Sequence, residues 1–492
     1  MKKFLERTRD RIFLGGSWET ARGGVLEVES PSDGTIAARV GNAGPEDLEA
    51  AVERAREARS LWRTMPSLER GRILARVAAS IRDHDREIAE LIGLENGMPA
   101  GAARFIEVPM AADTFDYYAG LASRPLGRVL PFNLPGSPPR HLVLTVDQPV
   151  GVVGLITPWN FPLLMPAWKL AAALAAGCPV LLKPAPETPL SALYLAHLLE
   201  EAGLPEGVLS VLTGGDDLGE RIVRHPEVAK IALTGGSDTG RAVLAAAAPL
   251  LKRVSLELGG KSPLILFEDA DVDAACDAAL FGTFFNSGQV CQASSRLLVH
   301  TSVYRRVVDR LVARAGALRV GPFTDDRADL GPIITRERLA AIDAHVEGAR
   351  SEGASVLTGG HPLKGPGYYY PPTVITDVSA LAPVAQEEIF GPVVVVLPFA
   401  SEEEAVELAN ATTYGLAAAI WTRDVRRALS MAQAVEAGTV WINTVQVLTP
   451  TAPFGGFKAS GIGRDLGEEG MRSYLETKSI IVDLNDWPMA YF

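Results

Sequence analysis

Residues 285–296 read Phe-Asn-Ser-Gly-Gln-Val-Cys-Gln-Ala-Ser-Ser-Arg, and they join a predicted helix, Asp271 to about Phe285, to a short apolar strand, Leu297–Val299. The Ser-Gly turn between these elements presents Cys291. A cysteine at such a junction can have an accessible sulfur, which becomes a nucleophile when a base takes its proton. Most unpaired cysteines only pack in a core, so this position alone does not decide the function.

The composition limits the classes of protein to which the chain can belong. Its 492 residues are 47 % hydrophobic and 22 % charged, with a net charge of −12 at pH 7. This length predicts two or three domains, and an acidic chain is not expected to bind nucleic acid or an anionic membrane. The histidines and cysteines show no metal-ligand spacing, so we predict no metal site.

Cysteine usage and the N-terminus both bear on the cellular compartment. The three cysteines suggest no disulfide framework, which favours a reducing compartment. Residues 1–11 are charged and hold no apolar signal core, and the longest uncharged apolar run, 170–182, is too short to span a bilayer. We therefore expect a cytoplasmic protein without a membrane segment.

Short apolar strands alternate with helices in two series, one from Pro149 onward and one from Leu264 to Thr444. Such alternation predicts right-handed βαβ units around parallel sheets, whose ligands bind at the carboxyl ends of the strands. Glu257 falls at the seam between the two series and is the candidate proton acceptor for Cys291.

Two glycine-rich turns invite comparison with phosphate-binding loops. The turn 235–240, Gly-Gly-Ser-Asp-Thr-Gly, follows a strand and opens a helix, where free N–H groups suit a diphosphate. It departs from the usual dinucleotide fingerprint at Ser237 and is a weak indication by itself. The turn 259–262 resembles the end of a P-loop, but we reject that reading because Ser255 replaces its first glycine and Pro263 its helix.

Seven motifs follow one another along the chain: Thr157-Pro-Trp-Asn-Phe-Pro162, Lys183-Pro184, the turn 235–240, Glu257-Leu-Gly-Gly-Lys-Ser-Pro263, Gly288-Gln-Val-Cys291, Glu388-Ile-Phe-Gly-Pro392 and Pro453-Phe-Gly-Gly456. Together they resemble the NAD(P)-dependent aldehyde dehydrogenase superfamily. The resemblance covers nearly the whole chain, and the order of the motifs makes a chance match very improbable.

The resemblance implies an α/β, aldehyde dehydrogenase-like fold with two doubly wound parallel-sheet domains and a small β extension. Residues 1–126 and 149–258 would form a variant Rossmann dinucleotide-binding domain, and residues 259–458 a catalytic domain that carries the cysteine. Residues 127–148 and 475–492 would be oligomerisation strands of a homodimer or homotetramer.

The same resemblance implies the oxidation of an aldehyde to a carboxylic acid by a covalent mechanism. Cys291 would form a thiohemiacetal and then a thioester, with the oxyanion held by the Asn160 amide and the Cys291 backbone N–H. Glu257 would activate the water that hydrolyses the thioester, and Lys169 would pass its protons on.

The cofactor implied by the resemblance is NAD, with NADP possible. The matching contacts are Ile156, Thr157, Trp159, Lys183, Gly215, Thr234, Gly235, Gly236, Ser237, Gly240, Leu258, Glu388 on the nicotinamide ribose, and Phe390. Many NAD-preferring members carry a glutamate three residues after the lysine, where this chain has Pro186, with Glu187 one position later. The choice between the two cofactors therefore stays open.

The sequence determines the substrate poorly. Five residues match positions that line the aldehyde tunnel in relatives: Phe161, Trp168, Phe285, Leu448 and Phe454. This apolar, partly aromatic set suits aliphatic or aromatic aldehydes, although ordinary core packing would also bury it. Arg296 is the arginine nearest to Cys291 in this part of the sequence, and its orientation decides whether it could hold the carboxylate of a semialdehyde.

Other functions stay open at this point. An NADP-preferring semialdehyde dehydrogenase would share the motifs. An enzyme that acylates coenzyme A typically lacks the water-activating glutamate, which this chain retains as Glu257. A catalytically silent structural homologue is disfavoured because Cys291, Glu257 and Asn160 are all present.

Overall fold

The computed structural model describes residues 1–124, 127–132 and 141–484, so parts of the predicted oligomerisation segments, 133–140 and 485–492, lie outside the described residues. The strands are β1 (Arg11–Leu14), β2 (Ser17–Thr20), β3 (Val25–Glu29), β4 (Ile36–Gly41), β5 (Arg128–Leu130), β6 (His141–Pro149), β7 (Val152–Ile156), β8 (Val180–Lys183), β9 (Leu209–Val211), β10 (Val228–Thr234), β11 (Arg253–Glu257), β12 (Pro263–Leu266), β13 (Arg296–His300), β14 (Ser355–Thr358), β15 (Thr373–Thr376), β16 (Val393–Phe399), β17 (Tyr414–Gly415), β18 (Ala417–Trp421), β19 (Thr439–Ile442), β20 (Phe457–Lys458), β21 (Gly461–Ile462) and β22 (Leu475–Asp483).

The helices are α1 (Lys2–Thr8), α2 (Pro45–Thr64), α3 (Ser67–Asp83), α4 (Asp85–Asn96), α5 (Ala100–Ala102), α6 (Val108–Leu121), α7 (Leu164–Ala176), α8 (Leu190–Glu201), α9 (Asp216–Arg224), α10 (Ser237–Ala247), α11 (Val272–Phe284), α12 (Tyr304–Ala315), α13 (Arg336–Ser351), α14 (Pro383–Gln386), α15 (Glu402–Asn410), α16 (Val425–Ala434) and α17 (Gly467–Arg472). A π-helical turn, Ala103–Glu107, joins α5 to α6.

An eight-stranded sheet has the strand order β2-β1-β9-β8-β7-β10-β11-β21. The strands from β9 to β11 in this order run parallel, whereas β1, β2 and β21 pair antiparallel at the edges. Successive side chains of a strand point to opposite faces, so Val153 and Leu155 pack on one helical layer while Val152 and Leu181 pack on the other.

A seven-stranded sheet has the order β14-β15-β16-β13-β12-β18-β19, and all its pairs are parallel except β14 with β15. Ile265 and Leu298 face one apolar core, and Leu264 and Leu297 face the other. Because both sheets bury both faces under helices, the prediction of a doubly wound α/β fold is confirmed. The antiparallel edge strands are a departure, since the alternating pattern predicted only parallel strands.

A third sheet, β22-β6-β5, is small and antiparallel. β22 pairs with β6 along its whole length, from Leu475 opposite Pro149 to Asp483 opposite His141. The apolar side chains of β5 and β22, such as Val129 and Ile480, are exposed, and Ile481 reaches 61 % exposure, whereas Val143 of β6 is buried. Exposed apolar surface of this kind marks an interaction site.

The described residues contain neither a helix suited to span a membrane nor a cluster of side chains suited to bind a metal ion. Within residues 1–124, 127–132 and 141–484, no helix has both the length and the apolarity needed to cross a bilayer. Nor does this part of the chain bring three or more His, Cys, Asp or Glu side chains together in a way that could hold a metal ion.

The link 258–262 connects the two large sheets. It runs from Glu257, the last residue of β11, to Pro263, the first residue of β12. In the second half of the chain, α11 begins after Asp271, whose side chain accepts hydrogen bonds from the backbone of the first turn. Cys291 follows the end of this helix. The predicted helix and the predicted strand around the cysteine are therefore confirmed.

Candidate active site

The turn that carries Cys291 has a strained backbone. Asn286, Ser287 and Gly288 all adopt left-handed conformations, with φ values of 48°, 54° and 72°. Only glycine fits at the third position, since a Cβ there would lie 2.1 Å from the carbonyl oxygen of Gly391. Strain of this kind concentrates at functional sites, and here it leaves Cys291 partly exposed.

Asn160 lies against this turn, in the loop between β7 and α7. Its Nδ2 donates to the carbonyl of Gln289 at 3.0 Å, and its own carbonyl accepts from Asn286 Nδ2 at 2.9 Å. A side-chain amide has two N–H groups, so one N–H of Asn160 remains for a ligand. The structure thus brings the predicted oxyanion donor and Cys291 to one cavity.

Glu388 reaches this cavity from the segment before β16. Its Oε1 accepts from the Gly260 N–H at 3.0 Å, and its Oε2 lies where a side chain at Gly259 would have to be, 2.0 Å from an ideal Cβ. Burial raises the pKa of Cys291 to about 12, and the charges of Glu388 and Glu257 add to the rise. The thiol is therefore protonated at neutral pH and needs a base before it can attack.

Glu257 is buried at the end of β11, beside a buried ion pair. Lys169 Nζ lies 2.6 Å from Asp465 Oδ2. Burial raises the pKa of Glu257 well above its usual value, the negative charge of Asp465 raises it further, and the positive charge of Lys169 opposes the rise. Sequence reasoning missed Asp465, because it lies far along the chain from Lys169 and in no quoted motif.

A cavity of about 530 Å³ runs along the carboxyl ends of the strands; Cys291, Asn160 and Glu388 line it, whereas Glu257 and Lys169 do not. Eleven of the predicted cofactor contacts line it: Ile156, Thr157, Trp159, Lys183, Gly215, Thr234, Gly235, Gly236, Leu258, Glu388 and Phe390. Two others, Ser237 and Gly240, do not line it. Gly240 packs against Leu258 instead, where a Cβ would lie 2.8 Å from that side chain, so its role in binding a cofactor stays a prediction.

Sequence reasoning overlooked two polar residues of the cavity, Asp216 and Arg338, and named Thr239 only as part of the turn 235–240. Asp216 begins a helix directly after the strand-end residue Gly215, so the rule that ligands bind at strand ends could have found it. No signal in the sequence pointed to Arg338, because it belongs to α13 and reaches the cavity only through the tertiary fold.

The cavity suits a nicotinamide dinucleotide. Its volume falls within the usual range for small-molecule sites, about 300–1,000 Å³. One part of its wall contains Lys183 and Asp216, whose side chains can bond to ribose hydroxyls. Another part contains Glu388 and Cys291. Between them the backbone is open, since a Cβ at Gly236 would meet nothing within 4 Å. These residues would hold the dinucleotide with the nicotinamide near the thiol.

All five predicted tunnel residues pack with Cys291 in one apolar cluster: Phe161, Trp168, Phe285, Leu448 and Phe454. Phe161 stacks on Phe285 with ring centroids 6.1 Å apart, and Trp168 meets Phe454 edge to face at 5.4 Å. These residues belong to the same large core as Cys291, but none of them lines the cavity, so their contact with a substrate stays a prediction.

The side chain of Arg296 is hydrogen-bonded to the backbone. Its guanidinium is buried and donates to the carbonyls of Lys261, Leu408 and Ala409 at 2.9, 2.7 and 2.8 Å. Because these bonds occupy Nε and both terminal nitrogens, Arg296 is not placed to bind the carboxylate of a substrate.

Comparisons with known proteins identify the family of the chain. The model of the aldehyde dehydrogenase family matches residues 18–480. Betaine aldehyde dehydrogenase 1 of Oryza sativa subsp. japonica is 42 % identical, over 98 % of this chain and 97 % of its own length. The mitochondrial aldehyde dehydrogenase of Homo sapiens is 42 % identical, over 96 % and 92 %. The NAD+ complex structure of the aldehyde dehydrogenase from Bacillus cereus has a TM-score of 0.96 at 41 % identity, covering 98 % of both chains.

The chain belongs to the aldehyde dehydrogenase family. It is therefore an NAD(P)-dependent oxidoreductase that acts on the aldehyde group of small molecules. The predictions of the family, the fold class, the reaction and the cofactor are confirmed, whereas the roles of individual residues stay predictions.

The electrostatics of Cys291 predict how the thiol reacts in the cofactor-free protein. Alkylation by iodoacetamide should be slow at pH 7 and should rise about tenfold per pH unit up to pH 9, because the thiolate fraction grows in this way below the pKa. Glu388→Gln should speed the reaction, since the loss of a negative charge lowers the pKa of the thiol.

Mass spectrometry of the peptide that contains Cys291 measures this rate, and Cys178 and Cys276 are buried and should stay unmodified. Glu387→Gln is the matched control, because it removes the same charge from an adjacent, exposed position. A rate that does not change between pH 7 and pH 9 would show that the thiolate already exists.

Proposed function

We propose that the protein oxidises apolar aldehydes to carboxylic acids with NAD, through a thioester on Cys291 that is hydrolysed by water activated by Glu257. The observation that carries the proposal is the convergence of Cys291, Asn160 and Glu388 on one cavity at the seam of the two sheets. The charge of Glu257 acts on the same thiol.

In the first step the Glu257 carboxylate accepts the thiol proton, and the sulfur of Cys291 forms a bond to the carbonyl carbon. The carbonyl electron pair moves onto the oxygen, where the free N–H of Asn160 and the backbone N–H of Cys291 hold it. The loss of one such donor typically costs about 2.7–4 kcal/mol of transition-state stabilisation.

The bound nicotinamide supplies the acceptor for the hydride that leaves the tetrahedral carbon. Loss of this hydride restores the carbonyl and leaves a thioester on Cys291. Glu388, which the Gly260 N–H fixes in place, is the residue that would hold the ribose hydroxyls.

Hydrolysis completes the cycle. Glu257 accepts a proton from water, the water oxygen bonds to the acyl carbon, and the carbon–sulfur bond breaks to release the acid and the Cys291 thiolate. Lys169 and Asp465, whose charges act on Glu257, provide the route by which the proton leaves.

The substrate class is inferred from the aromatic side chains of the apolar core to which Cys291 also belongs. Phe161, Phe285 and their neighbours offer apolar faces, and the guanidinium of Arg296 is engaged by backbone carbonyls. Both observations favour an aldehyde without a carboxylate over a semialdehyde. Relatives named betaine aldehyde dehydrogenase suggest a quaternary ammonium aldehyde as a second candidate, since aromatic faces also attract such cations.

The cavity wall near Lys183 favours NAD over NADP. The charges of Asp216 and Glu187 act on the Lys183 ammonium, and both residues line the cavity. A 2′-phosphate in this region would meet two carboxylates, whereas ribose hydroxyls would find acceptors. Glu187 and Asp216 thus take over the role of the glutamate that Pro186 replaces.

The assembly and the compartment complete the proposal. The exposed apolar side chains of the small sheet β22-β6-β5 support a homodimer or homotetramer that buries them. Three free cysteines support a reducing, cytoplasmic location.

The mechanism predicts different defects for its two central residues. Cys291→Ala should abolish NADH formation, because no thioester can form. Glu257→Gln should retain a stoichiometric, slower burst of NADH while steady turnover falls by about 10²–10⁴-fold, since the general base is lost. Stopped-flow absorbance of NADH measures both quantities, and Cys276→Ala, which changes a buried cysteine in a separate core, is the control.

The same assay tests the substrate class and the acyl acceptor. An aliphatic and an aromatic aldehyde should give higher kcat/KM than a semialdehyde or betaine aldehyde, and coenzyme A should not raise the rate. Full turnover by Cys291→Ala would refute the covalent mechanism, and acyl-coenzyme A among the products would assign the enzyme to the acylating branch.

The cofactor preference should depend on the two carboxylates near Lys183. In the double variant Glu187→Gln with Asp216→Asn, kcat/KM for NADP should rise about tenfold or more, because like charges no longer face the 2′-phosphate. Asp217→Asn is the matched control, since Asp217 lies next to Asp216 but does not line the cavity. Preference of the unmodified enzyme for NADP would contradict the proposal.

The small sheet should hold the subunits together. Ile481→Lys places a charge on its exposed apolar surface and should shift the protein to smaller species in analytical ultracentrifugation, with unchanged circular dichroism. Leu429→Lys, at an exposed position of α16, should leave the assembly intact. An unchanged sedimentation coefficient for Ile481→Lys would remove this sheet from the interface.

A further inference from the structure

Two glutamates that no step of the mechanism uses lie behind the active-site loops. Glu95 is in the last turn of α4, and Glu107 ends the π-helical turn Ala103–Glu107. Both side chains are completely buried, with 0 % exposure. A buried carboxylate is costly unless it is well hydrogen-bonded, so its partners indicate why it is there.

Glu107 holds the start of α7. Its Oε1 accepts from the backbone N–H groups of Leu163 and Leu164 at 2.8 and 3.0 Å. α7 has no side-chain cap of its own, so a residue from a distant segment binds the N–H groups that the helix leaves unpaired. Only two residues separate Asn160 from Leu163, and therefore a shift of the helix start moves the oxyanion donor.

Glu95 holds the start of α8 in the same way. Its Oε2 accepts from the Leu190 N–H at 2.6 Å and its Oε1 from the Ser191 N–H at 2.8 Å. α8 also lacks a side-chain cap of its own. The segment that enters this helix carries Lys183 and Glu187, which line the cofactor cavity.

A third contact from the same region ties the two loops together. Asn96, the neighbour of Glu95, donates from Nδ2 to the carbonyl of Trp159 at 2.9 Å. Thr188 Oγ1, in the segment before α8, donates to the same carbonyl at 3.4 Å. The α4 end and the π-helical turn thus hold both loops, although neither Glu95 nor Glu107 lines the cavity.

We propose that Glu107 and Glu95 are positioning residues: Glu107 aligns Asn160 for the addition of the thiol, and Glu95 aligns the Lys183–Glu187 segment for the cofactor. This inference rests on the proposed function of Cys291 and Asn160. Each carboxylate acts through backbone N–H groups at a helix start, and the two loops that they control serve different steps.

The choice of substitutions for a test depends on the protonation and the hydrogen bonds of the two glutamates. Burial raises the pKa of Glu95 to about 7 and that of Glu107 to about 8, with the charge of Glu95 contributing to the second rise. Glutamine keeps the single accepting oxygen that Glu107 uses, whereas at Glu95, where both oxygens accept, it keeps one acceptor and loses the other. Alanine removes the acceptor, and aspartate keeps the carboxylate but shortens its reach.

The test compares alanine variants at the two sites in the full-length enzyme. Glu107→Ala should lower the rate of the NADH burst at saturating NAD by about 10²-fold, because a small misplacement of a catalytic group has an effect of this size. Its dissociation constant for NAD, from isothermal titration calorimetry, should change little. Glu95→Ala should show the opposite pattern, with weaker NAD binding and a normal burst at saturation.

Glu107→Gln should keep most of both properties, Glu95→Gln should weaken NAD binding because one of its two acceptors is lost, and the aspartate variants should repeat the alanine defects in weaker form. If an alanine variant does not fold, the glutamine and aspartate pair decides alone. A normal burst in Glu107→Asp, or equal loss of both properties at both sites, would overturn the inference and leave only a structural role. That result is distinct from failure of the proposed function, which full turnover by Cys291→Ala would reveal.

Discussion

The five-residue link between β11 and β12 is the constraint on which the active site depends. It carries the chain from one large sheet to the other, so the last residue of the first sheet, Glu257, lies close to the seam where the second sheet presents Cys291. The link can pass there only because it contains glycine, since the Glu388 carboxylate lies where a side chain at Gly259 would be. The same link therefore fixes both the packing of the sheets and the positions of the proposed base, Glu257, and the proposed nucleophile, Cys291.

Burial shifts the pKa values of the ionisable groups where the two sheets meet. Burial disfavours the charged form of a thiol or a carboxyl group, which is why the pKa of Cys291, of Glu257 and of Glu388 is raised. A neutral thiol is protected from side reactions until a base takes its proton. The ion pair of Lys169 with Asp465 places opposite charges beside Glu257, so the pKa of the general base responds to both.

The sequence predicted the residues of the candidate site far better than it predicted the residues that hold them in position. Cys291, Asn160, Glu388 and Lys183 belong to compact motifs, and the rule of strand ends placed most of them at one edge. Asp465 and Arg338 were missed because each contributes a single side chain from a distant element. Glu107 was missed for the same reason, since a carboxylate that caps another segment's helix leaves no local pattern.

By itself, the sequence determined the class of fold and the reaction. Strand and helix periodicity are local properties, and motifs of a few residues specify a turn, a nucleophile or a donor without knowledge of distant parts of the chain. The tertiary structure alone decided that Arg296 bonds to backbone carbonyls, that Asp216 stands near Lys183, and that buried glutamates hold the loops. These contacts join residues far apart in the chain, and only packing fixes which of them meet.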